Sequence, residues 1–415
     1  MPGIDFCQSW GVSKAKQWSG GQLRSPYVDT TKYAEVLNAH ADGSRDLRFR
    51  RANQINKKLY QNKLALLGTP LYYLIFSFLP QYYSLAFGIF QVLQVILFIT
   101  SVVMLNSGRH EYWLGLLSLA LLLVVVYEPL LSDLRVGNIN SFQLFGVAVL
   151  IVLAHRFLSG SSNRNVLFPG VTFMCGLVFM TLLKPNLILV TSLLSAHLCA
   201  QQGWKVFAKA VIAAAIFGAI LLLLPCIYFD SWRVWLDWYN YLSSKMLVYP
   251  VSQGNIATVL LVSQALDISV YSATTMLATV LLVLGLGVLL MAAFPGEPGL
   301  KALWGPFVRS LRDPYLCAAM GITATLALMP LVWLHYFVIS LIPAIWLLTA
   351  PHRWSHAWLL GGLSIILTSG LPGLLLIALF GLTAQVYSYS IAMGWIPLWA
   401  GVLATIACKG KAGEN

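Results

Sequence analysis

After residue 80 the chain is built mostly from apolar runs separated by short polar stretches. The runs are longer than buried strands or ordinary core helices need. A membrane-crossing helix takes about 20 apolar residues, within a range of roughly 17–25. That length predicts spans near 83–105, 112–127, 139–157, 167–183, 185–200, 207–228, 270–294, 314–333, 336–350, 357–380 and 384–407. The stretch 64–79 is apolar but short, with Pro70 inside it. It reads either as one more span or as an amphipathic helix in the membrane interface. Residues 1–63 are polar, so no signal peptide is expected there.

Composition agrees with this pattern. Hydrophobic residues make up 59% of the 415 residues, charged residues 10%, and the mean hydropathy is +0.77. An ordinary soluble domain carries roughly 25% charged residues. So apolar a chain, folded in water, would leave large exposed patches, which a bilayer covers. The expected fold is therefore all-α, a polytopic transmembrane helical bundle of about eleven spans.

The net charge of +12 changes the picture only in its placement. No nucleic-acid-binding motif accompanies it, so no nucleic-acid partner is expected. Cytoplasmic loops of membrane proteins are rich in Lys and Arg. Alternate connections carry Arg109; Arg156 and Arg164; Lys205 and Lys209; Lys301, Arg309 and Arg312; Arg353; and Lys409 and Lys411. The opposite set carries only Arg135, Lys184, Arg233 and Lys245. The richer set is expected in the cytoplasm together with the C-terminal tail, 409–415. The connections near 128–138, 229–257 and 334–335 then face outward. The six cysteines are scattered without a Cys-x-x-Cys or Cys/His cluster, so neither a disulfide framework nor a zinc site is implied.

Ionisable residues at membrane depth are candidates for function. Lys184 lies between two apolar runs in Leu182-Leu183-Lys184-Pro185-Asn186, and reads either as a functional cation or as a snorkelling residue at a short turn. His335 stands at the start of a span in Trp333-Leu334-His335-Tyr336, where a lone interfacial histidine is often structural. The loop from Tyr127 to Asn140 concentrates Glu128, Asp133, Arg135, Asn138 and Asn140 between two apolar runs. By itself the polar start, with Gly3-Ile4-Asp5-Phe6 and Ser25-Pro26-Tyr27-Val28-Asp29, is an ordinary solvated segment.

Taken in order, these pieces resemble a known family. An Asp-Phe near the start is followed by Pro-Tyr-x-Asp, by Pro70-Leu71 opening an apolar helix, and by a loop ending Gly137-Asn138-Ile139-Asn140. Then come Gly176 with Lys184-Pro185, and finally Trp333-Leu334-His335-Tyr336. The set resembles glycosyltransferase family 87, whose members have the GT-C membrane fold and are similar to polyprenol-phosphate-mannose-dependent mannosyltransferases of bacterial envelopes.

The resemblance implies transfer of a sugar, mannose by family expectation, from a polyprenyl-phosphate donor to a lipid or glycan acceptor. The reaction would take place on the extracytoplasmic face of the cell membrane, with inversion. It implies Asp5 as general base, and Lys184, Arg135 and His335 as partners of the donor phosphate. Glu128 and Asp133 fall where GT-C proteins keep a second acidic motif. With Asn138, Asn140 and Tyr27 they are expected around the acceptor. No obligatory metal and no other cofactor is expected. Residues 1–82 would form the first outer loop with interfacial helices, and 83–408 the bundle. The family places a membrane helix directly before its catalytic Asp, whereas Asp5 follows Met1 closely. This departure leads to the expectation of a further helix upstream, or of a base other than Asp5.

Composition alone also fits a transporter or a lipid flippase, and a non-catalytic envelope scaffold as well. Transporters usually place their sites at the membrane midplane. Here the ionisable candidates gather at the outer edge, which favours the glycosyltransferase.

Overall fold

The computed structural model describes residues 3–59, 64, 66, 68–105, 113–158, 167–245, 255–293, 308–349, 356–381 and 384–410. Among these the architecture is helical throughout, and the sole β feature is an isolated bridge between Asn255 and Trp333. The all-α, polytopic expectation holds. Of the loop cations used to assign sidedness, Arg109, Arg164, Lys301, Arg353 and Lys411 lie outside the described residues, as do residues 246–254 of the expected outer loop.

The polar start forms four helices, α1 (Ile4–Trp18), α2 (Thr30–Gly43), α3 (Leu47–Leu59) and α4 (Pro70–Phe76). They share one core with the first turns of α5 (Tyr83–Met104). That core is largely aromatic. The Phe6 ring packs against Phe76, Tyr83, Phe87 and Phe90 with centroids 5.1–5.6 Å apart. Helix α1 is buried from Phe6 through Lys16 although its sequence has no apolar stripe. Small residues allow this: a Cβ on Gly11 would stand 2.7 Å from the Leu37 side chain. Polar side chains on α1 find partners, as when the Trp10 indole donates to the Pro80 carbonyl at 2.9 Å.

Within the stretch 64–79 the described helix is α4. It has seven residues, far too few to cross about 30 Å of hydrocarbon at 1.5 Å per residue. Thr69 caps it, accepting from Tyr72 N at 3.2 Å, and Pro70 occupies the first turn, where its missing N–H costs nothing.

In the remainder, four helices among the described residues are long and apolar enough to span: Tyr83–Met104, Asn140–Leu158, Pro185–Tyr228 and Tyr389–Cys408. Three bent pairs pass the same test together, which gives up to seven. The expected spans at 83–105, 139–157 and 167–183 coincide closely with α5, with α8 (Asn140–Leu153) and its π-helical extension Ala154–Leu158, and with α9 (Leu167–Leu183). The 41-residue α10 (Ile188–Tyr228) breaks at Gly203, whose φ of 75° is left-handed. It therefore reads as two helices joined there, matching the two runs expected at 185–200 and 207–228.

Helix α6 (Trp113–Val126) bends by 59° into α7 (Glu128–Val136). Helix α7 carries its own signals: Glu128 and Pro129 in the first turn, Arg135 in the last, and left-handed Gly137 closing it. These residues make a short helix where the sequence reading had a loop. A 3-10 segment, Leu334–Ser340, packs on α7 and α8. The Tyr127 hydroxyl holds it, donating to the Phe337 carbonyl at 2.9 Å.

Candidate active site

The start of α1, the end of α7, the start of α8, the turn between α9 and α10, and the 3-10 segment meet at one place. Two glycines make the first contact close enough. Gly3 has a φ of 74°; its N–H donates to the Arg135 carbonyl at 3.1 Å, and its own carbonyl accepts from the Tyr83 hydroxyl at 3.0 Å. Gly137 has a φ of 73°, and a Cβ there would stand 2.5 Å from the Cβ of Phe6. Left-handed backbone at Gly137 ends α7 and turns Asn138 toward α1.

Asp5, in the first turn of α1, is half-buried, and its Oδ2 accepts from Asn138 Nδ2 at 2.9 Å. Among the described residues no donor reaches Oδ1. Asn138 Oδ1 accepts from Lys184 Nζ at 2.9 Å, and Lys184 donates again to Asn140 Oδ1 at 2.9 Å. Asn140 Nδ2 donates to Asp133 Oδ1 at 2.8 Å. The result is one continuous chain, Asp5–Asn138–Lys184–Asn140–Asp133. Each carboxylate is joined to the ammonium through a neutral amide. The Lys184 ammonium also sits 4.3 Å from the centre of the Tyr336 ring, in cation–π range.

Lys184 is placed by its neighbours. It stands in extended backbone between α9 and the turn Pro185–Leu187. The Thr69 hydroxyl donates to the carbonyl of Leu183, the residue before it, at 3.1 Å. The same oxygen that caps α4 therefore fixes the turn that presents Lys184. Asp133 is fully buried and heavily donated to. Its Oδ2 accepts from Ser141 N at 3.0 Å, Ser141 Oγ at 2.9 Å and Gln94 Nε2 at 3.0 Å. So bound, it holds the start of α8 and Asn140 rigidly.

His335 is buried against Tyr336, ring centroids 5.1 Å apart, and its Nε2 has no partner among the described residues. It lies close enough to Lys184 to feel its charge.

Electrostatics follow burial. Desolvation lifts the Asp5 carboxyl above the usual carboxylate range, against the opposing effects of the Asn138 hydrogen bond and the Lys184 charge. Desolvation also pulls the Lys184 ammonium down, to about 8, with Asp133 and Asp5 holding it from falling further. Among the described residues the arrangement thus offers a carboxylate with one open oxygen next to a cation with no direct counter-ion. The first can accept a proton, and the second can meet a phosphate.

Three candidates from the sequence stand elsewhere. Glu128 and Arg135 pair with each other across two turns of α7, and Arg135 is exposed. The Tyr27 hydroxyl donates to the Gly68 carbonyl at 2.7 Å, and its ring packs on Tyr73 and Tyr241. It thereby braces the turn before Thr69. Sequence reading passed over Gln94 and Ser141, and gave no role to Tyr336 or Tyr72. The Tyr72 hydroxyl accepts from Ser9 at 3.0 Å on the Asp5 side of the site. The missed signal was uncharged: Gln94 is an amide inside an apolar helix, a costly residue to bury without a purpose.

Comparison with protein-family models gives a match to glycosyltransferase family 87 over residues 67–305, more than half of the chain. Asp133, Asn138, Asn140 and Lys184 fall inside that segment, while Asp5 and His335 are brought to them by the fold. Comparisons with curated proteins and with solved structures find no match.

Proposed function

This chain belongs to glycosyltransferase family 87, a family of membrane glycosyltransferases, and from that premise we propose that it transfers a sugar from a polyprenyl-phosphate donor to a hydroxyl of a lipid or glycan acceptor. The observation that carries the proposal is the Asp5–Asn138–Lys184 chain, in which a carboxylate suited to accept a proton and an ammonium suited to a phosphate are held one amide apart.

In the proposed reaction the acceptor oxygen attacks the anomeric carbon from the face opposite the phosphate. A new C–O bond forms as the bond from the anomeric carbon to the phosphate oxygen breaks, and polyprenyl phosphate leaves with the bonding electrons. Asp5 Oδ1 takes the proton of the attacking hydroxyl. Lys184 balances the charge that grows on the departing phosphate, and it can do so without first losing an ion pair. The unpartnered Nε2 of His335 is a second group for the same phosphate. Arg135 would join only by leaving Glu128.

A single displacement of this kind inverts the anomeric centre. The family expectation of mannose, of a lipid or glycan acceptor and of the extracytoplasmic face of the cell membrane is carried over as part of the proposal.

The test is transfer of labelled mannose from polyprenyl-phosphate mannose, measured in membranes carrying the full chain or its Asp5→Asn form. Transfer is expected for the first, with a loss of about 10²–10⁴ in rate for the second. Equal rates would remove Asp5 from the mechanism. Transfer from a glucosyl or arabinosyl donor in place of the mannosyl one would correct the sugar alone.

A further inference from the structure

A second concentration of charge lies on α3, away from the site. Its sequence from Leu47 to Leu59 holds five cations and no acid. Phe49, Ala52, Asn53 and Asn56 are buried against the other helices of the polar start. Arg48, Arg51 and Lys58 therefore project outward beside Leu47 and Gln54, and Arg45 is exposed just ahead of the helix. Positions 47, 51, 54 and 58 fall on one stripe of an α-helix. Lys57 is neutralised by Asp42 at 3.0 Å. Among the described residues no acid pairs with Arg45, Arg48, Arg51 or Lys58.

One buried carboxylate fixes where this face stands. Asp46 Oδ1 caps α3, accepting from Arg48 N at 3.0 Å and Phe49 N at 3.2 Å. The same group accepts from Ser84 N at 2.8 Å and Ser84 Oγ at 2.8 Å, in the first turn of α5. The start of the basic helix and the start of a 22-residue apolar helix thus share a cap. The same region exposes apolar side chains: Leu47 at 70%, Phe78 at 83% and Tyr82 at 58%. Cations with no counter-ion, exposed aliphatic and aromatic side chains, and the mouth of a membrane-long helix coincide.

We propose that the outward face of α3 rests on the membrane surface and binds anionic phospholipid headgroups. Arg48, Arg51 and Lys58 meet lipid phosphates while Leu47, Phe78 and Tyr82 enter the boundary below them. Three cations near an anionic surface strengthen attachment roughly a hundredfold at low salt. Salt weakens it, since the Debye length falls from about 10 Å at 0.1 M to about 3 Å at 1 M. This attachment would seat the helices that carry Asp5 on the bilayer, and it does not depend on which sugar is transferred.

The test is hydrogen exchange of segment 44–59 in the full chain, in nanodiscs of phosphatidylcholine with or without phosphatidylglycerol. The anionic lipid is expected to slow exchange of the segment by about tenfold or more at low salt, and ~1 M salt to reverse the slowing. The combined variant Arg48→Gln, Arg51→Gln, Lys58→Gln should lose the effect while α5 exchanges as before. The salt comparison needs no substitution, so a poorly folding variant leaves the test standing. Equal exchange in the two lipids would overturn the proposal, as would slowing that survives in the variant. Inorganic phosphate reproducing the effect in phosphatidylcholine alone would also overturn it, since that would assign the face to a soluble anion. Slowing by an acidic protein but not by the lipid would replace the membrane with a protein partner.

Discussion

Asp5 and Lys184 carry opposite charges and make no direct ion pair; Asn138 stands between them, donating to Asp5 Oδ2 at 2.9 Å and accepting from Lys184 Nζ at 2.9 Å. A direct pair at that depth would have satisfied both charges and left neither available. An amide bridge keeps the two oriented and leaves one carboxylate oxygen open.

Lys184 should matter to the donor more than to the acceptor. Lys184→Gln keeps hydrogen-bonding capacity but removes the charge proposed to meet the phosphate. The expected loss is about 10²–10³ in kcat/KM for the polyprenyl-phosphate sugar, with little change in acceptor KM. Initial rates at varied donor and acceptor separate the two. Unchanged donor kinetics would make Lys184 a snorkelling residue only.

Asn138 can be changed in two informative ways. Asn138→Ala leaves Asp5 Oδ2 and Lys184 each short of a partner, which costs about 1–3 kcal/mol and should slow transfer by roughly 10–100-fold. Asn138→Asp is the harsher change despite its shape. It places a second carboxylate beside Asp5 and gives Lys184 a direct counter-ion. It should therefore be slower than Asn138→Ala, and the reverse order would argue against the bridging role.

The approach of α1 to α7 depends on Gly137. An added Cβ meets Phe6 at 2.5 Å, at a φ of 73° that side-chain-bearing residues rarely adopt. Gly137→Ala is expected to destabilise the fold by about 1–3 kcal/mol, read as a lower unfolding temperature in detergent. Transfer should fall as well, because Asp5 and Asn138 are carried by the two segments pushed apart. An unaltered unfolding temperature would show that the turn adapts.

The dependence on pH follows from the two shifts. The proposed base must be deprotonated, and burial raises Asp5 above its ordinary 3.8. The acid limb of kcat/KM should then lie above the usual carboxylate range. The phosphate partner must be protonated, and Lys184 is lowered to about 8, so the alkaline limb should fall near there. Lys184→Arg, if it retains activity, should carry the alkaline limb upward, because a guanidinium stays charged. An alkaline limb that does not move would assign it to another group.

Much of this was legible along the chain. Helices α5 and α8, the latter with its π-helical extension, follow directly from runs of apolar residues of span length, because a helix in lipid must satisfy its backbone internally and cover itself with apolar side chains. Asp133, Asn138, Asn140, Lys184 and His335 were visible as polar residues in or beside such runs, whereas Asp5, in the polar start, stood out only through the family resemblance. Gln94 and Ser141 were not visible, because neither carries a charge to draw attention in a hydropathy profile. The burial of α1 escaped as well. It packs through small residues and aromatic partners on other helices, and periodicity does not register such contacts.

What the sequence by itself determined was the solvent, the class of fold and the residue types available for chemistry, since these depend on composition and on patterns a few residues long. What only the tertiary structure decided was the pairing. Asp5 and Asn138 lie 133 residues apart, and Asn138 and Lys184 lie 46 apart. Their contact is set by left-handed turns at Gly3 and Gly137 and by the Thr69 hydrogen bond to Leu183. The same folding took Tyr27 to Gly68. A hydrogen bond reaches about 3 Å, and which groups come within that distance is decided by packing, which no local pattern encodes.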